Sequence, residues 1–500
     1  MINPVTWAVR AFMTGGIKEL VYETRIIHYS RSERRCKKSK VGWIAKNARK
    51  ELRAKKKIHL AAVLLVNENE RESEKTKETI RSLVSLKGVT VYLHMATGEN
   101  EKEIISNAMA VINDLREPFF FFVLPGDDFD PMFGAMAAGL IRNDRDIRFI
   151  YTDEICEDRE ICKPAYSPHT LVGHNYIGHS AIISSEMTSH IGIRPVSLSL
   201  FIWELYRSVT RRLMPMNIKN IPSPLVETGL SYKQEFFENT NPSPCFLSLR
   251  KPFASIIIPS KDNPVCLERL FKSMSFHEAG VPYEIIVVDN GSSEENKEKI
   301  NILCMDAMAK YLYKKETFNF SKMCNRGRAE AKGGFLLFLN DDTEILTDNW
   351  LFILCETAAL KRSGAIGAKL LYPNGRIQHV GIVGGVYPTH VLNKEEDSDP
   401  VELKTTLPYN YMAVTGACLC LKTERFDAAG GFDESFDTDY NDVVMCVKLR
   451  AMGFFNAVRN DVVLTHYESY SRGIPDTPEK EKKLESDRKR LEAIIKKNKV

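Results

Sequence analysis

Long apolar runs are missing from this chain of 500 residues. A helix that crosses a bilayer needs about 20 consecutive apolar residues, and the greasiest stretches, such as Pro118–Pro125, have only the length of buried strands. A secretory leader is not expected either. Met1–Tyr22 is interrupted by Arg10, Lys18 and Glu19, and no apolar block precedes a small-residue cleavage site. The eleven cysteines are odd in number and lack metal-finger spacing, which argues against a disulfide framework. Cys418-Leu419-Cys420 reads as two small residues in a buried strand rather than a ligand pair. These absences point to a reducing, cytoplasmic setting.

What is present is ordinary globular material, 44% hydrophobic and 27% charged, and too long for one compact core. Two domains plus extensions are expected. The net charge of +4 hides an asymmetry: residues 31–57 hold thirteen Lys/Arg against Glu33 and Glu51, so that block is +11 and the remainder is −7. Such a block serves as a solvated linker or binds nucleic acid or an anionic membrane surface. Trp7, Val9, Phe12, Ile17, Leu20 and Val21 before it have the makings of a membrane-surface helix, interrupted by Gly15-Gly16.

From Ile58 onward, short apolar runs alternate with helix-like stretches, the pattern of βαβ units, and the pattern restarts near Phe253. In the second half, Ala254–Ile258 ends in Pro259-Ser260-Lys261-Asp262-Asn263, Glu284–Val288 in Asp289-Asn290-Gly291-Ser292, and Phe335–Leu339 in Asn340-Asp341-Asp342-Thr343. Open α/β sheets bind ligands at the carboxyl ends of their strands. The first half is fainter. His59–Val66 and Val89–Leu93 read as strands and Phe119–Leu124 runs into Asp127-Asp128, but the second strand is followed by His94-Met95-Ala96-Thr97, without a carboxylate.

Each motif has a plain reading. Asn290-Gly291 is a turn signal, and Asn340-Asp341-Asp342 would cap a following helix. Together they match a harder task, holding a nucleoside diphosphate through a cation such as Mg²⁺ or Mn²⁺, which prefers carboxylate oxygen and leaves sites for phosphate. Asp442 falls in the first turn of a helix bearing Val444, Val447 and Ala451. It is either a helix-terminal acid or a general base for an attacking hydroxyl. His466 closes the strand Val462–Leu464, and Arg472 follows within reach of phosphate.

Residues 253–473 resemble glycosyltransferase family 2 enzymes of the GT-A fold, particularly those building bacterial surface polysaccharides such as O-antigen and rhamnose-containing glycans. The strings ASIIIPSKDN, YEIIVVDNGS, FNFSKMCNRGRAEAKGGFLLFLNDDTEI, GAKLLYPNGRIQHVGIVGG, AVTGACL, GGFDE, YNDVVMCVKL and HYESYSRG carry the resemblance in the family's order. It implies that Pro259, Ser260 and Asp289 contact the nucleoside, with Asp289 on base or ribose. It implies that Asn340 and Asp341 flank the nucleotide sugar, that Asp342 ligates the metal and that His466 helps hold metal or diphosphate. Asp442 falls on the base, and Thr415, Gly416 and Arg472 on the sugar or acceptor side. Relatives carry an acid and an arginine where this chain has Val444 and Lys448.

The first half resembles the leading domain of tandem transferases of that family, through FFFFVLPGDDFDP, FIYTDE and KPAYSPHTLVGHNYIGH. The place for its base reads Leu200-Phe201-Ile202-Trp203-Glu204, so it is expected to be degenerate. The expected fold is thus α/β, two tandem GT-A-like domains with mostly parallel sheets. The basic extension spans 1–57, the degenerate domain 58–250, the catalytic domain 251–475 and a charged C-terminal helix or tail 476–500. The expected activity is inverting transfer from a nucleoside-diphosphate sugar, a rhamnosyl donor being one candidate, to a glycan or lipid-linked glycan. Peripheral membrane contact through the basic N-terminus is included, and nucleic acid is not an expected partner. A sugar nucleotidyltransferase is disfavoured because Pro259–Asn263 lacks the glycines that would cradle a triphosphate. A catalytically impaired glycan-binding scaffold is the other alternative.

Overall fold

The computed structural model of the chain describes residues 44–189, 191, 197–230, 252–385, 387–397, 404–467 and 478–498. Arg472, the basic stretch up to residue 43 and most of the junction before Pro252 lie outside them. The chain divides into two compact units, Met1–Asn241 and Pro242–Val500.

The second unit is built on one twisted sheet. Its strands run from edge to edge as Lys310–Tyr313, Tyr283–Asp289, Ala254–Ser260, Phe335–Leu339, Cys418–Lys422, Ser363–Leu371, Phe455–His466 and Thr343–Ile345. The first four are parallel. Beyond Phe335–Leu339 the pairings are antiparallel except that of Ser363–Leu371 with Phe455–His466, so the sheet is mixed. Strand periodicity divides the core: Ile256 and Ile258 pack with Leu267, Leu270 and Trp350 on one face, while Ile257 packs with Met323, Phe338 and Val444 on the other. Gly327 lets its helix, Phe320–Glu330, lie close on the sheet, because a Cβ there would meet Ile257 Cγ2 at 2.3 Å. Cys418 and Cys420 are buried in the strand Cys418–Lys422, and the described cysteines are all unbridged.

The first unit repeats this path. Its strands run Val89–Gly98, Ile58–Asn67, Phe119–Val123, Ile182–Ser184, Phe149–Cys156, Ile218–Glu227 and Asp128–Phe129. The six pairings along it have the same senses, in the same order, as the six from Tyr283–Asp289 to Thr343–Ile345. Two sheets with one winding are the observation behind the tandem GT-A-like fold. Among the described residues, only the second unit has the extra edge strand Lys310–Tyr313. The strand expected over Val89–Leu93 therefore continues to Gly98 as a half-exposed edge, and His94–Thr97 lies inside it.

Two segments expected to be peripheral are integral. Within the basic block, Ile44 and Ala48 on the helix 44–51 join the first unit's core, and the buried Glu51 carboxylate accepts from Arg142 Nε at 2.8 Å. The C-terminal helix Pro478–Asn498 buries Leu491 in the second unit's core.

Matching the first paired residues of the central strands, Leu60 with Ala254 and Phe119 with Phe335, and of the closing strands, Asp128 with Thr343, gives the positions at these strand ends their counterparts. Thr97 then stands where Asp289 stands, and Glu227, paired with Asp128, stands where His466 pairs with Thr343. Asp127 takes the place of Asp342. Its buried carboxylate accepts from Leu124 N at 2.7 Å and Gly229 N at 3.1 Å and lies 2.7 Å from His179 Nε2. It therefore stitches loops together rather than capping a helix. Asp127→Ala should destabilise the first unit by at least ~3 kcal/mol, since three donors are orphaned at about 1–3 kcal/mol each. Asp128→Ala, at an exposed position, should stay within about 0.5 kcal/mol. Denaturant unfolding of both variants checks this.

Candidate functional site

The strand ends are tied to one another before any ligand is considered. Ser260 Oγ donates to Asp341 Oδ2 at 2.7 Å, joining the ends of Ala254–Ser260 and Phe335–Leu339. Asp262 N donates to Ser292 Oγ, and Asp262 Oδ1 accepts from Ser293 N, each at 2.8 Å, joining the next two loops. The Ser293 amide is the main reason that the Asp262 carboxyl sits below its usual range. Pro259 and Ser260 are buried at their strand end.

Asp289 does not present a free carboxylate. It is fully buried, its Oδ1 accepts from Gly291 N at 2.9 Å and Ser292 N at 2.8 Å, and its Oδ2 accepts from Tyr311 OH at 2.6 Å. Burial, followed by this carboxylate, pushes the Tyr311 phenol far up, so Tyr311 remains the donor. The turn reading of Asp289-Asn290-Gly291 thus describes the geometry, with Gly291 at φ 88°. Three acceptor positions of the Asp289 carboxylate thus hold the turn and Tyr311.

Asn340, Asp342 and His466 converge. The short strand Thr343–Ile345 pairs antiparallel with the end of Phe455–His466, setting Thr343 opposite His466. The strand expected over Val462–Leu464 is longer, and His466 is its last residue. His466 Nε2 lies 3.1 Å from Asp342 Oδ1 and 3.3 Å from Asn340 Nδ2, and its Nδ1 lies 2.7 Å from Gln378 Oε1. Asp342 is 6% exposed and His466 7%. An imidazole nitrogen and a carboxylate oxygen facing each other at a buried strand end are a donor set that suits a divalent cation.

Asp442 comes from the other side of the sheet path, in the first turn of the helix Asn441–Ala451. Its Oδ2 accepts from Gly416 N at 2.8 Å and its Oδ1 from Val443 N at 2.7 Å. The preceding Tyr440 has φ 63°, a left-handed conformation costly for a bulky residue and common where a site demands it. The loop Thr415-Gly416-Ala417 links the two corners, since Ala417 O accepts from Asn340 N at 3.0 Å. A cavity of about 250 Å³ is lined by Asn340, Thr415, Gly416, Asp442 and His466 together. Pro259, Ser260, Asp289, Asp341 and Asp342 lie outside its lining.

Other lining residues went unassigned in the sequence: Gln378, His390, Tyr440 and Leu484. Gln378 lies in the string GRIQHVGIVGG, which carries the family resemblance, so a signal existed without a role attached to it. Leu484 belongs to the C-terminal helix, whose charged sequence hid its part in the wall. His379, beside Gln378, is fully buried. Burial and the imidazoles of His390 and His466 hold it well below the usual histidine range, so it stays neutral. Val444 is fully buried among core residues, so the missing acid is not missing from the cavity wall. Lys448 Nζ donates to Gly431 O at 3.3 Å, bracing the Gly430-Gly431 turn.

Residues 255–379 match the family described as glycosyl transferase family 2. The second unit carries a family 2 glycosyl transferase domain. Among curated proteins, this chain is similar to the uncharacterized protein y4gI of Sinorhizobium fredii, 30% identical over 72% of this chain and 45% of that protein. It is similar to the O-antigen biosynthesis protein RfbC of Myxococcus xanthus, 28% identical over 73% of this chain and 32% of that one. A GalNAc(5)-diNAcBac-PP-undecaprenol beta-1,3-glucosyltransferase of Campylobacter jejuni is 35% identical over 19% of this chain and 31% of that enzyme. The chain thus spans less than half the length of these relatives. Solved structures with a looser likeness include the mannosyltransferase PcManGT of Pyrobaculum calidifontis with GDP-Man and Mn²⁺, 16% identical over 44% of this chain and 59% of that one, TM-score 0.34. GalNAc-T7 with UDP, GalNAc and Mn²⁺ is 15% identical over 48% of this chain and 51% of that one, TM-score 0.36. At such scores the fold assignment rests on the strand path itself.

Proposed function

We propose that the second unit is an inverting glycosyltransferase, moving a sugar from a nucleoside-diphosphate donor to a hydroxyl of a growing surface glycan. The observation that carries this reading is the cavity joining the Asn340–His466 corner to Asp442 inside a family 2 domain. Its volume suits a monosaccharide rather than a whole nucleotide sugar, because pockets for larger ligands run to roughly 300–1,000 Å³. The nucleoside would lie beyond it, over the strand ends at Pro259, Ser260 and the turn that Asp289 braces, with Asn340 and Asp341 alongside. Asp342 and His466 would hold Mg²⁺ or Mn²⁺, which as a Lewis acid stabilises a departing diphosphate.

Asp442 would take the proton of the acceptor hydroxyl. The Gly416 and Val443 amides orient its carboxylate, and Thr415 and Gly416 form the sugar-side wall, with Arg472 proposed for the same side. A single displacement from the face opposite the leaving group inverts the anomeric centre. The name of the Myxococcus relative supports a surface polysaccharide as product, with a rhamnosyl group among the donors to try. A scaffold without catalysis is less well supported, since Val444 replaces an acid in the core and not in the cavity.

Donor binding and transfer measured side by side test this. Asp442→Asn should keep nucleotide-sugar binding while turnover falls by roughly 10²–10⁴-fold; turnover within a few fold of the parent would make Asp442 a helix-terminal acid only. Asp342→Ala should abolish transfer, and full activity in that variant or in chelator would remove the metal from the reading. A lipid-linked acceptor reached through the basic N-terminus belongs to the same proposal. Liposome sedimentation should show binding to anionic vesicles that falls with salt and with deletion of residues 1–43. Indifference to both would end that part.

A further inference from the structure

Gln378 lies on the three-residue strand Ile377–His379, which pairs with the end of Ser363–Leu371. It is 2% exposed, and its Oε1 is the partner of His466 Nδ1 at 2.7 Å. An amide oxygen offers only lone pairs, so the proton in that bond sits on Nδ1. In its neutral form the imidazole then carries its lone pair on Nε2, aimed at Asp342 Oδ1 and Asn340 Nδ2. Asn340 can donate to it, but a carboxylate cannot. Lone pair and carboxylate oxygen at 3.1 Å repel unless a cation or a proton lies between them. Histidine ligands of metals are held this way, their other ring nitrogen donating to a fixed acceptor that sets tautomer and orientation.

We propose that Gln378 is a positioning residue, locking His466 in the tautomer that presents Nε2, together with Asp342, to a divalent cation. This rests on the reading of the Asp342–His466 corner as the cation site. The partner is reached across 88 positions of sequence, and the strand Ile377–His379 exists within a turn-rich stretch where periodicity carries no information. The contact is therefore a product of the fold, brought about by the placement of two strand ends.

The test uses the whole protein and Mn²⁺ as probe, alone and with UDP, GDP or dTDP. Electron paramagnetic resonance reads both Mn²⁺ affinity and the ¹⁴N coupling of a bound imidazole. Gln378→Leu, similar in size but unable to accept, should bind Mn²⁺ about 10–100-fold more weakly and lose the coupling. Gln378→Glu, a stronger acceptor, should keep the coupling and bind at least as tightly as the parent. A Glu variant that falls below the parent overturns the proposal even if the Leu variant does not fold, which thermal unfolding in chelator would show. Parental affinity and coupling in a folded Leu variant overturn it as well. Asp342→Ala separates the two levels. If the parent binds no Mn²⁺, or Asp342→Ala binds it unchanged, the cation site itself is wrong and Gln378 falls with it. Loss in Asp342→Ala alongside parental behaviour in Gln378→Leu removes only the role of Gln378.

Discussion

The pairing of Thr343–Ile345 with the end of Phe455–His466 is the constraint on which the second unit's site depends. It closes the sheet path at its far end and sets Asp342 and His466 side by side on backbone that cannot drift. Tyr467 strengthens the junction, its N donating to Asp342 O at 2.9 Å and its hydroxyl to Glu344 Oε2 at 2.6 Å, with the Arg269 guanidinium over its ring at 4.1 Å. Rigid support matters here because a site loose by an ångström forfeits most of its effect. Asp442 reaches the same cavity from a helix terminus, through the Thr415–Ala417 loop.

The first unit shows what the same winding does without those groups. Thr97 stands at the position of Asp289 and Glu227 at that of His466, while Asp127 is closed in by two amides and His179. The helix Leu198–Arg212 occupies the place of Asn441–Ala451 but has no acid in its first turn. Phe201 and Trp203 face the core instead, the Trp203 Nε1 donating to Leu171 O at 2.6 Å. The second unit keeps polar groups around a cavity, whereas at the matched places of the first Asp127 stitches loops and Trp203 packs in the core. That contrast is the physical content of reading the first half as degenerate.

The sequence made the central strands of both sheets legible because they are continuous apolar, β-branched or aromatic runs, and the acids at their ends stood out for the same reason. Phe455–His466 was read only over Val462–Leu464, because Arg459, Asn460 and Asp461 interrupt the apolar pattern. In the fold, Arg459 is fully buried and paired with Asp461 Oδ2 at 2.7 Å and Glu356 Oε1 at 3.2 Å, so an internal ion pair hid a core strand. The Val89–Gly98 strand was read short because an edge tolerates polar residues. The bond from Tyr311 to Asp289 was not legible, because Tyr311 arrives from the additional edge strand. His390 and Leu484 were out of reach, since each meets the cavity through long-range packing that no local pattern encodes, while Gln378 stood in a family string with no role attached.

The central claim is that the cation belongs at the Asp342–His466 corner of the second unit and not at the equivalent place in the first. Anomalous diffraction from a crystal grown with Mn²⁺ and a nucleoside diphosphate measures this directly. The account predicts one strong peak within bonding distance of Asp342 Oδ1 and His466 Nε2, with diphosphate density beside it and none at Asp127. A peak at Asp127, or nucleotide density at the second unit's strand ends with no metal between it and Asp342, would contradict it.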